Sequence, residues 1–316
     1  MRAGARRGAC TAFAAIAMVS CATPPVEPPA VVGAVFEVRR GDAVGYLVAS
    51  AHSGFRQKIA VSDRVRSLVE GAGVVAFEAL PDEARPPSAR RRPAAAYGRA
   101  TSETLESELG PELTVRIRQL FAERNAPNGA WEALGKMRLP FVGTGIVVAV
   151  GMGQVSAWQP LLPEANPGMD ALIFAEAVRA GRALGELETE AEVVRSRLRL
   201  TREEAVAEIE QLVRRMESLP AGQFALADTL VARFLVGDLE TAYADYREQF
   251  CPPPVLARVC DKTVEDRNED MATKFAALVV AGLRPVGVTG AMHLAGPAGI
   301  PAQLRQRGFA VRRLEP

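Results

Sequence analysis

The apolar positions of this chain form short runs near its two ends and helical patterns between them. Alternation at 35–39 and 44–50, on either side of Gly41 and Asp42, predicts a β-hairpin. The remaining short runs predict strands at 74–77, 183–187, 285–288 and 309–314. These strands come from distant parts of the chain. The pattern therefore predicts the α/β class, with a central mixed β-sheet built from N- and C-terminal segments and flanked by helices.

Most of the middle of the chain has the spacing of amphipathic helices. Thr201-Arg-Glu-Glu204 is a capping-box pattern that marks the start of one of them. The apolar run at 141–152 is only about a dozen residues long, which favours a buried helix over a membrane span. We expect a single domain over 32–316 with a helical insert at about 101–250. Helices are predicted at 59–70, 103–110, 113–125, 130–136, 141–152, 168–180, 202–219, 223–236, 239–250, 261–282 and 300–307.

The first residues have the pattern of an export signal. Three arginines (Arg2, Arg6 and Arg7) precede an apolar stretch that is shorter than the roughly 20 residues of a spanning helix. Met18-Val-Ser-Cys21 resembles the bacterial lipoprotein box, in which the cysteine becomes the lipid-bearing first residue. Ordinary secretory cleavage near Ala22 is the alternative.

Residues 1–20 are thus predicted to be a lipoprotein signal peptide, and 21–31, rich in proline, a tether. The lipid on Cys21 would anchor the exported protein to the bacterial envelope. By similarity to other lipoproteins, the absence of aspartate at position 22 favours the outer membrane, facing the periplasm.

The charge of the chain does not suggest a nucleic-acid partner. Loss of residues 1–20 removes three arginines and no acids, so 35 basic residues remain against 37 acidic ones and the formal charge is −2. The two signs are interspersed along the chain, whereas nucleic-acid binding needs a clustered basic surface.

The four cysteines fit an oxidising compartment. Cys10 lies in the predicted signal and Cys21 is the predicted lipidation site, which leaves Cys251 and Cys260 on either side of a triple-proline run. We expect these two to form a disulfide. Two free thiols in a helical hairpin are the alternative.

Four ionisable residues come just after predicted strands: His52, Glu78, Glu188 and His293, which include both histidines of the chain. In open α/β sheets, ligands bind outside the carboxyl ends of the strands. Two imidazoles with one or two carboxylates suit a divalent cation, and without a metal the same set suits acid–base catalysis. The competing interpretation is that the histidines are hydrogen-bonded loop residues and the glutamates are helix caps or surface turns.

Six segments stand out in order over about 32–315: Ala49-Ser-Ala-His52, Val74-Val-Ala-Phe-Glu78, Gly168-Met-Asp170, Leu187-Glu188-Thr189, Arg267-Asn268-Glu-Asp-Met271 and Gly290-Ala-Met-His293-Leu-Ala-Gly296. Taken in order, these segments resemble the TraB/GumN family, to which the TIKI proteases are similar. Two departures stand out: Ala49 takes the place of the first glycine of the family pattern, and no glutamine follows soon after Glu188, where many relatives have one. If that first position needs a positive φ or close backbone approach, alanine strains it.

The resemblance implies a fold similar to the erythromycin-esterase and haem-binding ChaN-like group, and a metal-dependent hydrolase acting on a peptide or small-molecule substrate. The implied metal is manganese or cobalt, with zinc as a third option. Asp170 is either a site residue or a helix cap, and the cap is the favoured interpretation. The implied site comprises His52, Glu78 and His293 as metal ligands, Glu188 as a further ligand or general base, and Arg267 and Asn268 as substrate-orienting residues.

Two other functions are compatible with the same residues. His52 and Glu78 could hydrolyse an ester by acid–base chemistry without a metal. Alternatively, the crevice could bind a small ligand, such as haem, or a partner protein without catalysis.

Overall fold

A computed structural model describes residues 30–31, 33–51, 59–80, 97–99, 102–158, 168–219, 233–234 and 236–315. The predicted signal peptide, Cys21, His52 and most of the helix predicted at 223–236 lie outside the described residues. Among the helices described, none combines the length and the apolar character that a membrane crossing requires.

The core of the fold is a six-stranded mixed sheet with the strand order β6-β5-β7-β3-β2-β8. Strands β3, β7, β5 and β6 run parallel, and β2 is antiparallel to both of its neighbours. The short strands β1 and β4 pair separately. The predicted α/β sheet of N- and C-terminal segments is therefore confirmed. The strands are β1 (Ala30–Val31), β2 (Val35–Arg40), β3 (Ala43–Ser50), β4 (Ala60–Val61), β5 (Val74–Phe77), β6 (Ala183–Glu186), β7 (Pro285–Gly290) and β8 (Ala310–Leu314).

Helices cover both faces of this sheet and form the insert. In the described chain they are α1 (Asp63–Glu70), α2 (Leu105–Leu109), α3 (Pro111–Glu123), α4 (Ala130–Gly135), α5 (Leu139–Trp158), α6 (Met169–Arg179), α7 (Glu190–Leu198), α8 (Arg202–Glu217), α9 (Leu239–Phe250), α10 (Val255–Cys260), α11 (Asp266–Val280) and α12 (Ile300–Gln306).

Several boundaries differ from the sequence prediction. The helix expected at 59–70 begins only at Asp63, because Ala60 and Val61 pair with β1 and Ser62 caps the helix. Helix α5 (Leu139–Trp158) is longer than the apolar run at 141–152 from which it was predicted. Helices α7 and α10 were not predicted. The capping box at Thr201 is present, with its side chain accepting from the backbone N–H of Glu204.

The close packing of α11 on the sheet depends on a glycine in β7, which has no side chain. A Cβ at Gly287 of β7 would lie 2.9 Å from Phe275 of α11 and 2.9 Å from Leu47 of β3. Phe275 is fully buried at this contact. Because interiors are close-packed, a methyl group has no space here. The glycine therefore sets how closely α11 approaches the middle of β3 and β7.

The insert has a hydrophobic core of its own, separate from the sheet core. Its residues come from two helical segments of the chain. Ile117 of α3 and Ile146 of α5 lie between β5 and β6, and Ile209 of α8 lies between β6 and β7. Val259 of α10 joins the same cluster. The insert is therefore a packed helical layer and not a set of surface loops.

A five-residue π turn (Asp261–Glu265) lies between α10 and α11. Before it, Cys260 forms a disulfide with Cys251, which confirms the predicted pair. After it, Met271 and Phe275 pack in the sheet core, whereas Val259 packs in the insert core. The turn thus joins the two cores through one helical segment.

The close approach of α11 makes a testable prediction about stability. The substitution Gly287→Ala should lower the free energy of unfolding by about 1–3 kcal/mol, the usual cost of overpacking a core. Chemical denaturation monitored by circular dichroism measures this. The control is Gly185→Ala in β6, where the nearest atom to a Cβ is at an ordinary 3.6 Å. Equal losses in the two variants would contradict the packing argument.

Candidate functional site

The site lies at the carboxyl edge of the parallel strands. Glu78 follows β5 directly, Glu188 follows β6, and His293 lies in a 3-10 turn (Ala291–Leu294) after β7. Backbone hydrogen bonds continue past the strand ends, from Glu78 N to Val288 O at 2.7 Å and from Glu188 N to Glu78 O at 3.0 Å. The structure therefore brings three of the four residues found after predicted strands to one edge. The fourth, His52, is outside the described residues.

Arg267 of α11 binds both glutamates. Its Nε donates to Glu188 Oε1 at 2.7 Å, and its Nη2 donates to Glu188 Oε2 and, at 2.9 Å, to Glu78 Oε1. Its Nη1 donates to the carbonyl of Thr263 in the π turn at 2.9 Å. The planar guanidinium matches the two oxygens of Glu188, which is the geometry that favours arginine over lysine.

This charge cluster is buried. The Arg267 side chain is 14% exposed, and both carboxylates are more buried still. Burial acts to lower the pKa of Arg267, but the hydrogen bond to Glu188 and the charge of Glu78 outweigh it and leave that pKa above its ordinary value. Arg267 is therefore a permanent cation that supplies the counter-charge to two buried carboxyl groups.

The second oxygen of Glu78 is also held. Its Oε2 accepts from the backbone N–H of Gly290, at the end of β7, at 2.7 Å. Because β5 and β7 are neighbours, the strand register itself places this donor beside the carboxylate. Glu78 is thus fixed from two sides, with Oε1 directed toward His293.

Asn268 of α11 fixes His293. The Asn268 Nδ2 donates to Ala298 O at 3.0 Å, so its Oδ1 is the atom that faces His293 Nδ1 at 2.6 Å. Both side chains are almost completely buried. An amide oxygen only accepts, so the assignment of this network puts a proton on Nδ1.

A consequence follows for the other ring nitrogen. In a neutral imidazole with Nδ1 protonated, Nε2 carries a lone pair, and it faces Glu78 Oε1 at 3.3 Å. Two acceptors repel each other unless a positive charge lies with them. Arg267 Nη2, which donates to the same Glu78 Oε1 at 2.9 Å, supplies one positive charge beside this contact. A proton on one partner or a cation shared by both would stabilise the contact further.

The Glu78–His293 pair fits a divalent cation. Two ligands held by one ion at about 2.0–2.1 Å in adjacent positions lie roughly 3.0–3.4 Å apart. Imidazole and carboxylate are donors that manganese, cobalt and zinc accept. Among the described residues no group of three or more His, Cys, Asp or Glu forms a metal site, and His52, the third predicted ligand, is not among them.

The geometry changes the expected roles of three residues. Glu188 receives two hydrogen bonds from Arg267, Arg267 spends its donors on protein acceptors, and Asn268 is committed at both ends. In this arrangement, these side chains hold Glu78 and His293 in position. Their hydrogen bonds to other protein atoms take the place of the substrate contacts expected for Arg267 and Asn268.

Asp170 and Ala49 also differ from expectation. The N-cap of α6 is Gly168, so the favoured interpretation of Asp170 as the cap is wrong, although it lies in the first turn. The backbone N–H of Met169 donates to Ala51 O at 2.9 Å, which places this turn beside the end of β3. Ala49 lies in extended β3 and is absent from the positive-φ residues, so it is not strained in that way.

Sequence reasoning missed the two buried hydroxyl groups of Ser50 and Thr289, and the close contact that Gly296 permits. Ser50 and Thr289 lie near the carboxyl ends of β3 and β7, and neither buried hydroxyl has a hydrogen-bond partner among the described residues. Gly296 has φ +74°, and a Cβ there would lie 2.5 Å from the Tyr243 ring. Their signal in the sequence is proximity to the motifs: Ser50 precedes His52 by two residues, and Gly296 closes the His293 motif.

Fold and site together define an α/β protein with a buried ionic cluster at the carboxyl edge of its parallel strands. A family model described as the TraB/PrgY/gumN family matches residues 34–313. Because this match spans most of the chain, the protein belongs to the TraB/PrgY/gumN family, and the resemblance read from the motifs is confirmed. Comparisons with curated proteins and with solved structures found no match.

The buried cluster predicts a specific pattern of stability. The substitution Arg267→Met should lower the free energy of unfolding by about 3–5 kcal/mol, because it leaves buried carboxylates without their counter-charge. Burial raises the pKa of such carboxyls in the folded state. The stability that the variant loses relative to the unaltered protein should therefore be smallest below about pH 4, the ordinary glutamate pKa, and should grow as the pH rises.

Denaturant unfolding at several pH values measures both effects. The matched control is Arg179→Met, which removes an arginine that also binds two glutamates, Glu70 and Glu176, but is 57% exposed. The free energy of unfolding that Arg179→Met loses should stay below about 1 kcal/mol. A loss in Arg267→Met no larger than in this control would rule out a structural role for the cluster.

Proposed function

We propose that this protein is a divalent-metal-dependent hydrolase in which Glu78 and His293, together with His52, hold the ion. The observation that carries the proposal is the approach of His293 Nε2 to Glu78 Oε1 at 3.3 Å. Asn268 occupies the other ring nitrogen, so the Nε2 lone pair is directed at a carboxylate oxygen. A shared cation resolves this contact, and manganese or cobalt suits the mixed imidazole and carboxylate donors.

The residues around the pair have supporting roles in this proposal. Asn268 keeps the proton on Nδ1 and leaves Nε2 as the donor atom, which is the usual arrangement around a metal-bound histidine. Arg267 and Gly290 N–H hold the two Glu78 oxygens in place. Glu188 anchors Arg267 and is not a ligand in this version of the site.

The charge of the cluster favours a cation. Glu78, Glu188 and Arg267 together carry a formal charge of −1 when His293 is neutral. A buried negative charge attracts a cation strongly because the surrounding dielectric constant is low. When bound, such an ion activates water and polarises a carbonyl, which is the chemistry that hydrolysis of a peptide or a similar bond requires.

The cellular location of the protein is part of the proposal. The N-terminal pattern that ends at Cys21 supports export and a lipid anchor in the bacterial envelope, with the outer membrane favoured. The Cys251–Cys260 disulfide is consistent with this, because disulfides persist mainly in oxidising compartments such as the periplasm. The substrate would then be an envelope peptide or small molecule.

One observation favours a second candidate, a metal-independent hydrolase. The 3.3 Å contact is also satisfied when His293 is an imidazolium next to the Glu78 carboxylate. His52 and Glu78 would then perform acid–base hydrolysis of an ester-like bond. Hydrolytic activity that survives exhaustive chelation would select this candidate over the metal enzyme.

Metal content tests the first candidate. Elemental analysis of the purified protein should find stoichiometric divalent metal, and the variants His52→Ala, His293→Ala and Glu78→Gln should lose most of it. Hydrolysis of a peptide library should fall in parallel. Glu204→Gln is the control, because Glu204 is a buried carboxylate of the insert that binds Lys262. Stoichiometric metal retained in the His52→Ala/His293→Ala double variant would defeat the proposal.

The role of Asn268 gives a second test. Asn268→Leu keeps every candidate ligand but removes the acceptor of His293 Nδ1. It should weaken Mn²⁺ binding by about 10–100-fold, the usual effect of losing such a partner. Asn268→Asp retains an acceptor and should restore most of the affinity. Equal affinities in Asn268→Leu and the unaltered protein, measured by calorimetric titration, would count against the proposed role.

A further inference from the structure

A second place with the chemistry of a binding site lies in the insert, where a cavity of about 370 Å³ opens between α2, α5, α7 and α8. We call it the insert cavity. Three arginines border it, Arg99, Arg138 and Arg202, with Glu108 the acidic residue of its lining. Its formal charge is therefore +2. None of these residues belongs to the cluster around Arg267.

Arg99 is buried with a donor to spare. Its side chain is 8% exposed, its Nη1 binds Glu108 Oε2, and its Nε donates to Gly135 O at 3.1 Å. Its Nη2 is buried and has no hydrogen-bond partner in the described part of the chain. Buried guanidinium groups without an acceptor are rare and costly, and they point to a bound anion or ordered water.

The other two arginines strengthen the positive field. The one side-chain hydrogen bond of Arg138 within the described residues runs from Nε to Gly98 O at 2.9 Å, which leaves its terminal nitrogens for a ligand. Arg202 is the first residue of α8, and its Nη2 donates to the carbonyls of Ser107 and Glu108. The N-terminus of this 16-residue helix adds its partial positive charge.

The rest of the wall is apolar. Leu139, Leu198 and Leu200 line the insert cavity beside the guanidinium groups. The neighbouring groove shares Arg202 and Glu108 with the cavity and adds Glu203 and Glu210, so the formal charge of its lining is −2 against +2 for the cavity. Leu139 and Leu200 also pack in the insert core, whereas Leu198 is 41% exposed. A free inorganic ion would use the arginines but leave Leu198 uncovered. The lining therefore matches a ligand with one anionic end and one apolar end.

We propose that the insert cavity binds a carboxylate carried on a small apolar body, such as the carboxyl end of a peptide with an apolar last residue. The carboxylate pairs with Arg138 and with Arg99 Nη2, and the apolar body packs on the leucines. The inference is independent of the metal chemistry proposed for Glu78 and His293, because it shares no residue with that site.

The test compares two matched ligands on the full-length protein by calorimetry or ligand-observed NMR. N-acetyl-L-leucine carries the carboxylate, and N-acetyl-L-leucinamide is its neutral counterpart. The acid should bind and the amide should bind at least tenfold more weakly, since about one charge-assisted hydrogen bond or more is lost. This comparison needs no variant and does not depend on the folding of one.

Two substitutions locate the binding. Arg138→Gln should weaken binding of the acid by about tenfold or more, and Glu108→Gln should strengthen it by removing the negative charge of the lining. Arg214→Gln, on the exposed face of α8, is the matched control and should change nothing. The proposal is overturned if acid and amide bind equally, if Arg138→Gln matches Arg214→Gln, or if inorganic phosphate binds as tightly as the acid.

Discussion

The arrangement of this molecule depends on one buried cation. Arg267 neutralises carboxylates that follow two neighbouring strands, and without it Glu78 and Glu188 would both be negative, close together and out of water. Like charges in such a setting repel strongly. The guanidinium therefore makes the carboxyl edge of the sheet compatible with a pair of acids. It also ties α11 to this edge of the sheet, because Arg267 belongs to that helix and both of its carboxylate partners follow strands.

Neighbouring positions on α11 serve the two halves of the site. Arg267 holds Glu78, and Asn268 holds His293, so one helix turn sets the distance between the carboxylate and the imidazole. The Gly287 contact with Phe275 fixes the depth of the same helix against the sheet. Packing in the core and geometry at the edge are therefore coupled. A shift of α11 that changed the core contact between Phe275 and Gly287 would also change the positions of Arg267 and Asn268 at the edge of the sheet.

The sequence predicted the sheet well because its strands are short apolar runs, and β5 matched to the residue. It also marked Glu78, Glu188 and His293, since residues after strands share one edge of a parallel sheet. It missed α7, where few positions are buried, and α10, which follows a run of prolines. It could not predict the ionic partners of Arg267, because they lie 79 and 189 residues away in the chain. No local pattern encodes such contacts.

The π turn between α10 and α11 has a consequence for how this chain can change. Such a turn adds one residue to the helical repeat, so the two helices it joins differ in rotational phase. Val259 can then point into the insert while Met271 points into the sheet core. Deleting one residue here would leave every contact residue present but rotate α11 by about 100°, a single helical step. The spacing across this turn is therefore as strongly constrained as the identity of any residue in it.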